Sequence, residues 1–263
     1  MAVNANDQPE RAPPRVLILT PIKDASAYLE AYVARIERLV YPREALSIGL
    51  LESDSRDETS TLLEQLRPRL EARCNRVTLI KRDFGFRMPR GVPRWAPVYQ
   101  LTRRTILARA RNQLLFRALD DEDWVLWIDV DVVDYPPDLI SRLLAVGRDI
   151  LHPHCVIEPA GPTFDRNGWA EHGRKFLSDY RGASRPVRLD AVGGTVLLVR
   201  ADIHRDGLIF PPFRYGVENP AIRPVHEVWG KGEVETEGLG ILAQDMGHQC
   251  FGLPDLEVLH APG

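Results

Sequence analysis

Short unbroken apolar runs alternate with longer stretches of helical spacing through the first half of the chain. Residues 15–20 (RVLILT), 47–52 (SIGLLE), 77–82 (VTLIKR) and 124–128 (WVLWI) are nearly continuous apolar runs, the pattern of parallel strands buried on both faces. Between them, residues 27–39 repeat apolar side chains at Leu29, Tyr32, Val33, Ile36 and Leu39, one face of an amphipathic helix. Residues 57–70, with acidic side chains in the first turn, and residues 99–119 read as two further helices. This strand–helix alternation predicts an α/β protein with a Rossmann-like, doubly wound, mostly parallel sheet. Right-handed crossovers then place the strand C-termini, and any ligand, along one edge.

The second half is less regular. Residues 149–157 and 191–199 read as strands, and residues 200–232 as a loop-rich stretch holding Pro211, Pro212, Pro220 and Pro224. Residues 236–246 form a short helix closed by Gly247. Residues 249–251 and 256–260 read as two short extended pieces. Composition shifts near Pro159, but no linker falls there. The expected organisation is a polar tail over residues 1–14 and one domain over 15–263. Within it, residues 15–135 form a nucleotide-binding half and 136–263 a smaller acceptor half.

The 263 residues suffice for one large domain with a substantial core. Hydrophobic residues make up 44% and charged residues 27%, as expected of a folded protein. A net charge of −3 disfavours a nucleic-acid partner. Cys74, Cys155 and Cys250 are scattered and odd in number, which points to a reducing compartment. The N-terminus lacks a signal-peptide core, and the longest apolar stretches are too short to span a bilayer. The expectation is a cytoplasmic chain without an integral membrane segment; no pattern specifies an oligomeric state.

The sharpest chemical feature is Asp129-Val130-Asp131, directly after WVLWI. At spacing two, strand side chains share a face. Two carboxylates leaving a buried strand are costly unless a cation joins them, and a hard divalent ion bridging to a diphosphate would do so. The alternative is capping of the next helix. After the second strand, Asp54 can accept hydrogen bonds from a ribose or base, while Ser55 or Asp57 starts the next helix. Arg103, Arg104, Arg109 and Arg111 bring positive charge near a diphosphate; for Arg103 and Arg104 a solvated face is the preferred reading. Gly193-Gly194 permits either close backbone approach by a ligand or a plain turn. Glu235 and Glu237 either cap a helix N-terminus or aim a carboxylate at sugar or acceptor. His152 and His154 share a strand face, but no third zinc ligand is near. There is no G-x-G-x-x-G after the first strand, where Thr20-Pro21-Ile22-Lys23 stands, and no P-loop or G-x-S-x-G elbow.

Taken together, ILTPIKDA, LARARNQLL, WIDVDVVDYPPDLI, AVGGTVLLVRADIHRDGLIFPP and ETEGLGILAQDMGHQCFGLPDLEVLH resemble the GT-A glycosyltransferases. More narrowly they resemble glycosyltransferase family 62, the fungal mannan-polymerase-type mannosyltransferases. The resemblance runs from about Val16 to His260. It implies a GT-A fold, GDP-mannose as donor, Mn²⁺ (or Mg²⁺) as cofactor, a glycan or small hydroxyl acceptor, and retention of configuration. Carried over residue by residue, it sets Asp129 and Asp131 at a metal–diphosphate centre, with His260 as a further ligand. Thr20, Pro21, Asp54, Arg111 and Asn112 lie around the nucleotide. Gly193, Gly194, Glu235 and Glu237 face sugar and acceptor, and Glu235, Glu237 and Asp131 carry the chemistry. The Golgi anchor of the fungal relatives has no counterpart in the sequence. Two rivals stand beside this: an inverting, family-2-like transferase using a UDP-sugar, and a nucleotide-sugar-binding subunit without catalysis.

Overall fold

The structure, a computed structural model, describes residues 12–93, 95–225 and 230–262; residues 1–11 of the expected tail lie outside them. Four strands, β1 (Val16–Ile22), β2 (Leu46–Glu52), β3 (Arg76–Lys81) and β4 (Trp124–Ile128), pair in parallel in the order β3-β2-β1-β4. The helices between them are α1 (Ser26–Arg38), α2 (Thr59–Arg73) and α3 (Pro97–Ala118). The unbroken apolar runs follow from burial on both faces. Val16 and Ile18 of β1 pack with Leu29, Tyr32 and Leu63 of α1 and α2. Leu17 and Leu19 pack on the other face with Ala108, Leu114 and Leu115 of α3. Each such side chain, fully buried, contributes about 1.5–3 kcal/mol. Gly49 marks the tightest contact: a Cβ there would lie 2.7 Å from Leu19 and 2.8 Å from Ala118, so α3 can approach β2 only over a glycine.

The rest of the chain extends this sheet. It adds β5 (Val132–Asp134), α4 (Leu139–Ala145), β6 (Ile150–Val156), β7 (Val187–Leu189), β8 (Val196–Arg200), α5 (Ala201–Arg205), α6 (Glu235–Asp245) and β9 (Cys250–His260). The sheet continues β4-β8-β6-β9-β5, with β7 also on β9. Strand β8 is antiparallel to β4 and β6, and β5 and β7 are antiparallel to β9. Strands β1, β2, β3, β4, β6 and β9 run one way, so the α/β, mostly parallel fold class holds.

Helix ends shift by one to three residues from the expectation, and the second half differs more. The strand over residues 191–199 starts only at Val196, because bends occupy residues 194–195. The two extended pieces near the end are one strand, β9, whose register with β6 slips between Pro153 and His154. Pro254, which cannot donate to a ladder, lies in the skipped stretch. Strands β5 and β7 and helices α4 and α5, the last inside the stretch read as loop-rich, have no counterpart in the sequence reading; they are too short for periodicity to reveal. Among the described residues no helix is long and apolar enough to cross a membrane. The three cysteines are free and buried.

Candidate active site

The C-terminal ends of β1, β2 and β4 open onto one cavity of about 410 Å³, within the range of small-molecule sites. Pro21, Lys23 and Asp24 come from the β1–α1 turn, Ser53 from the end of β2, and residues 129–131 from the end of β4. Helix α3 supplies Arg103, Ile106 and Leu107, and the segment after β3 supplies Phe86, Met88 and Val92. This is the strand edge at which open α/β sheets bind ligands.

Asp131 meets His260 here, with Nε2 3.1 Å from Oδ1. The approach is built by the sheet: Val132 of β5 pairs with His260 of β9, and the Ala261 amide donates to the Asp131 carbonyl at 2.9 Å. His260 Nδ1 lies 2.6 Å from the Ala261 carbonyl, which fixes that nitrogen as the N–H donor and leaves Nε2 facing the carboxylate. Burial pulls the imidazole pKa down, but the hydrogen bond and charge of Asp131 outweigh it and raise it. A proton and a divalent ion therefore compete for the same Nε2 lone pair.

Asp129 leans the other way. Its Oδ1 accepts from Arg111 Nη2 at 2.9 Å, and 28% of its side chain stays exposed. Burial pushes its carboxyl up to about 6, with Asp131 and Glu235 adding to the push and Arg111 opposing it. Arg111 is buried against the Trp127 and Phe210 rings, 5.4 and 5.3 Å from their centroids, and the two rings meet edge-to-face. Its Nε also donates to Glu235 Oε1 at 3.0 Å. Glu235 is approached by Arg104 at 3.3 Å, and Glu237 is gripped by Arg104, by Arg223 at 2.6 Å and by the Trp169 indole N–H at 3.0 Å. Among the described residues, no three His, Cys, Asp or Glu side chains converge as a metal site; Asp131 and His260 make two.

A family model described as Anp1 matches residues 1–180 and 174–214. The chain belongs to the Anp1 family. It is 27% identical to the mannan polymerase complex subunit MNN9 of Candida albicans, across 93% of this chain and 74% of that one. It is 28% identical to the mannan polymerase II complex anp1 subunit of Schizosaccharomyces pombe, across 94% of this chain but 64% of the relative. Among solved structures, the mannosyltransferase PcManGT from Pyrobaculum calidifontis, in complex with GDP-Man and Mn²⁺, is similar at a TM-score of 0.57 and 16% identity. That match covers 94% of this chain and 57% of the other. GalNAc-T7 with UDP, GalNAc and Mn²⁺ is similar at a TM-score of 0.59 and 13% identity, across 95% and 44% of the two chains. These neighbours share the GT-A glycosyltransferase fold.

In this Anp1-family chain the residues singled out in the sequence divide into two groups. Pro21, Arg103, Asp129 and Asp131 line the cavity, with His260 against Asp131. The others stand behind it. Thr20 is fully buried; its hydroxyl donates to the Ile128 carbonyl at 2.6 Å and lies 2.6 Å from the Tyr32 hydroxyl. Asn112 clamps the backbone of Phe210 at 2.8 and 2.9 Å. Asp54 accepts from the amides of Phe84 and Gly85. At Gly193 a Cβ would lie 2.1 Å from Asp165 Oδ2, and at Gly194 one would lie 2.7 Å from Arg111 Nη2. The paired glycines thus admit two protein side chains. Glu235 and Glu237 begin α6 without a side-chain cap. His152 and His154 hydrogen-bond separately, to the Val196 carbonyl and to the Pro254 carbonyl and Thr163.

Two side chains differ from their sequence reading. Arg104, expected on a solvated face, is buried and carries the Glu235–Glu237 pair. Asp165 gave no signal at all, since TFDRNG reads as an ordinary turn. Its Oδ2 accepts from the Thr195 amide at 3.1 Å and from the Thr195 hydroxyl, and the Thr195 carbonyl accepts the Asp129 amide at 2.8 Å. Burial works against its charge, yet His152 and the Thr195 bonds hold its pKa low. Lys23 and Phe86, which also line the cavity, carry no chemical signal in the sequence, one in a turn and one in a segment without periodicity.

Proposed function

We propose that this chain is a metal-dependent mannosyltransferase of the family-62 type, moving mannose from GDP-mannose to a hydroxyl of a glycan or small acceptor with retention. The observation that carries this is the Asp129–Asp131 pair in the wall of the cavity, with His260 beside Asp131. Asp131 and His260 would hold the ion, and one imidazole among oxygens suits Mn²⁺ better than Mg²⁺. Two protein ligands leave coordination positions for donor phosphate oxygens and water. The ion, when bound, supplies positive charge for the leaving diphosphate. Asp129 keeps its pairing with Arg111 and so keeps that guanidinium, buried and always charged, at the cavity edge. Lys23 and Arg103 add positive charge to the walls, and Pro21 and Ser53 bound the side at which a nucleoside would sit.

Glu235 and Glu237 act at one remove. Their carboxylates orient Arg111 and Arg104, and Arg111 in turn orients Asp129. This speaks against the inverting rival, which needs a carboxylate base within about 3 Å of the acceptor hydroxyl. The same arginine locks favour a second reading, a donor-binding subunit without turnover, which suits a relative of complex subunits.

Calorimetry with GDP and UDP, each with and without Mn²⁺, tests the donor; GDP binding should be tighter and require the ion. Tighter UDP binding sinks the donor assignment. Release of GDP from GDP-mannose, and an α-linked product by NMR, separates the enzyme from the binding subunit.

A further inference from the structure

The segment after β3 forms one wall of the cavity, yet the described residues between β3 and α3, 82–93 and 95–96, contain no helix or strand. Its side chains alternate: Phe84, Phe86 and Met88 are half-buried, while Gly85 and Arg87 are exposed. Phe86, Met88 and Val92 face the cavity, opposite Ile106 and Leu107 of α3. Gly85 and Gly91 flank this strap with φ of 72° and 73°, and a Cβ at either would meet nothing within 4 Å. Backbone conformation, not crowding, selects glycine at both ends.

Something must hold such a strap in place, and two side chains do. Asp54, 3% exposed, accepts from the Phe84 amide through Oδ2 at 2.8 Å and from the Gly85 amide through Oδ1 at 3.0 Å. Its own amide donates to Asp83 Oδ1 at 2.7 Å, so the pairing is reciprocal. To aim this way Asp54 adopts φ of 54°, a left-handed conformation that Asp and Asn tolerate better than most residues. Lys23 Nζ donates to the Phe86 carbonyl at 2.5 Å and lies 5.7 Å from the centroid of the Phe86 ring.

We propose that Asp54 is a positioning residue that latches the strap of residues 84–92, so that Phe86 and Met88 present an apolar, aromatic wall to the nucleobase of the donor. Asp54 then governs nucleotide affinity without touching the nucleotide, since it is buried, does not border the cavity, and turns each carboxylate oxygen to a strap amide. An aromatic ring held at a fixed place offers a stacking face that a mobile one does not. The inference rests on the cavity being a nucleotide-sugar site, but the latch itself can be read without any ligand.

The test is hydrogen exchange on ligand-free full-length protein, paired with GDP titration in the presence of Mn²⁺. Asp54→Ala should raise exchange of the amides of residues 84–92 at least tenfold while leaving β1, β2 and β4 as protected as before. The same variant should weaken GDP binding about tenfold and leave the Mn²⁺ concentration for half-maximal binding unchanged. Asp54→Asn, which keeps the left-handed backbone but turns one acceptor into a donor, should give a smaller rise in exchange, and it decides the matter if the alanine variant does not fold. Weakened GDP binding with unchanged exchange in the ligand-free variants would overturn the latch and return Asp54 to direct contact with the nucleotide. Wild-type protein that binds neither GDP nor UDP would sink the functional reading, while the exchange comparison still decides the latch.

Discussion

Asp129-Val130-Asp131 and Glu235-Thr236-Glu237 are the same pattern, two carboxylates one residue apart, with opposite fates. The first pair leaves a strand at the sheet edge, and its side chains keep 28% and 14% exposure. The second opens a helix, and its side chains keep 4% and 2%. Arginines surround the buried pair: Arg104 and Arg111 on Glu235, Arg104 and Arg223 on Glu237. Glu235 even holds φ of 57°, a conformation costing about 1–3 kcal/mol outside glycine, which this frame must offset. A carboxylate caught by fixed guanidinium groups is part of the scaffold, whereas one that opens on a cavity can take a cation. Arg111 joins the two pairs, so the scaffold aims the site.

The comparison breaks first at Arg104. Replacing it with Met leaves Glu235 and Glu237 buried with one guanidinium fewer, and removing one partner of a buried ion pair costs about 3–5 kcal/mol. Thermal unfolding of Arg104→Met should show a fall in Tm of roughly 10 °C for a chain of this size. A loss under about 1 kcal/mol would mean that the glutamates do not depend on their arginine frame.

Asp131→Asn probes the open pair. The shape is kept and the charge is lost, so metal-dependent turnover should fall by about 10²–10³-fold, the scale of losing one preorganised electrostatic contact. Stability should change by less than about 1 kcal/mol, because the side chain borders the cavity rather than the core. If instead turnover survives and unfolding shifts as far as in Arg104→Met, the two acidic pairs are alike and the distinction fails.

How much of this was legible in the sequence depends on where the information lies. The four parallel strands announced themselves because burial on both faces forces unbroken apolar runs, as in RVLILT. Asp129 and Asp131 stood out because charges are conspicuous directly after such a run. The frame around the glutamates was not legible: Arg104 sits on a helix whose local pattern looks like a solvated face, and its partners are more than a hundred residues away. Asp165 is invisible because it sits in an ordinary turn and only the fold brings it under Thr195, 30 residues on. Asp54 shows a subtler limit. The position at the end of β2 was conspicuous, but the direction of its carboxylate is set by a left-handed backbone angle that sequence does not encode locally.

Asp57 sharpens the comparison at its small end, because its partners are neutral. Its Oδ1 accepts from the Thr59 amide at 3.2 Å and the Thr59 hydroxyl at 2.5 Å, and Oδ2 accepts from the Ser26 amide at 3.0 Å. It therefore ties the start of α2 to the start of α1. Burial tends to raise its pKa, but the bonds from Thr59 and Ser26 outweigh this and bring it down to about 2. The unfolded chain takes up this proton near pH 3.9, so the folded state is the poorer proton binder. The stabilisation is fully present above that value and is lost as pH falls towards 2. The carboxylate is exposed, and solvent screening keeps its worth below about 1 kcal/mol. Asp57→Asn should cost that much at neutral pH, comparable to weakening a helix cap. In urea unfolding from pH 6 to pH 3, the gap between wild type and variant should stay flat above about pH 5 and narrow below about pH 4. A gap that widens on acidification would show that Asp57 gains its stability as the protonated acid, against the hydrogen bonds that it accepts.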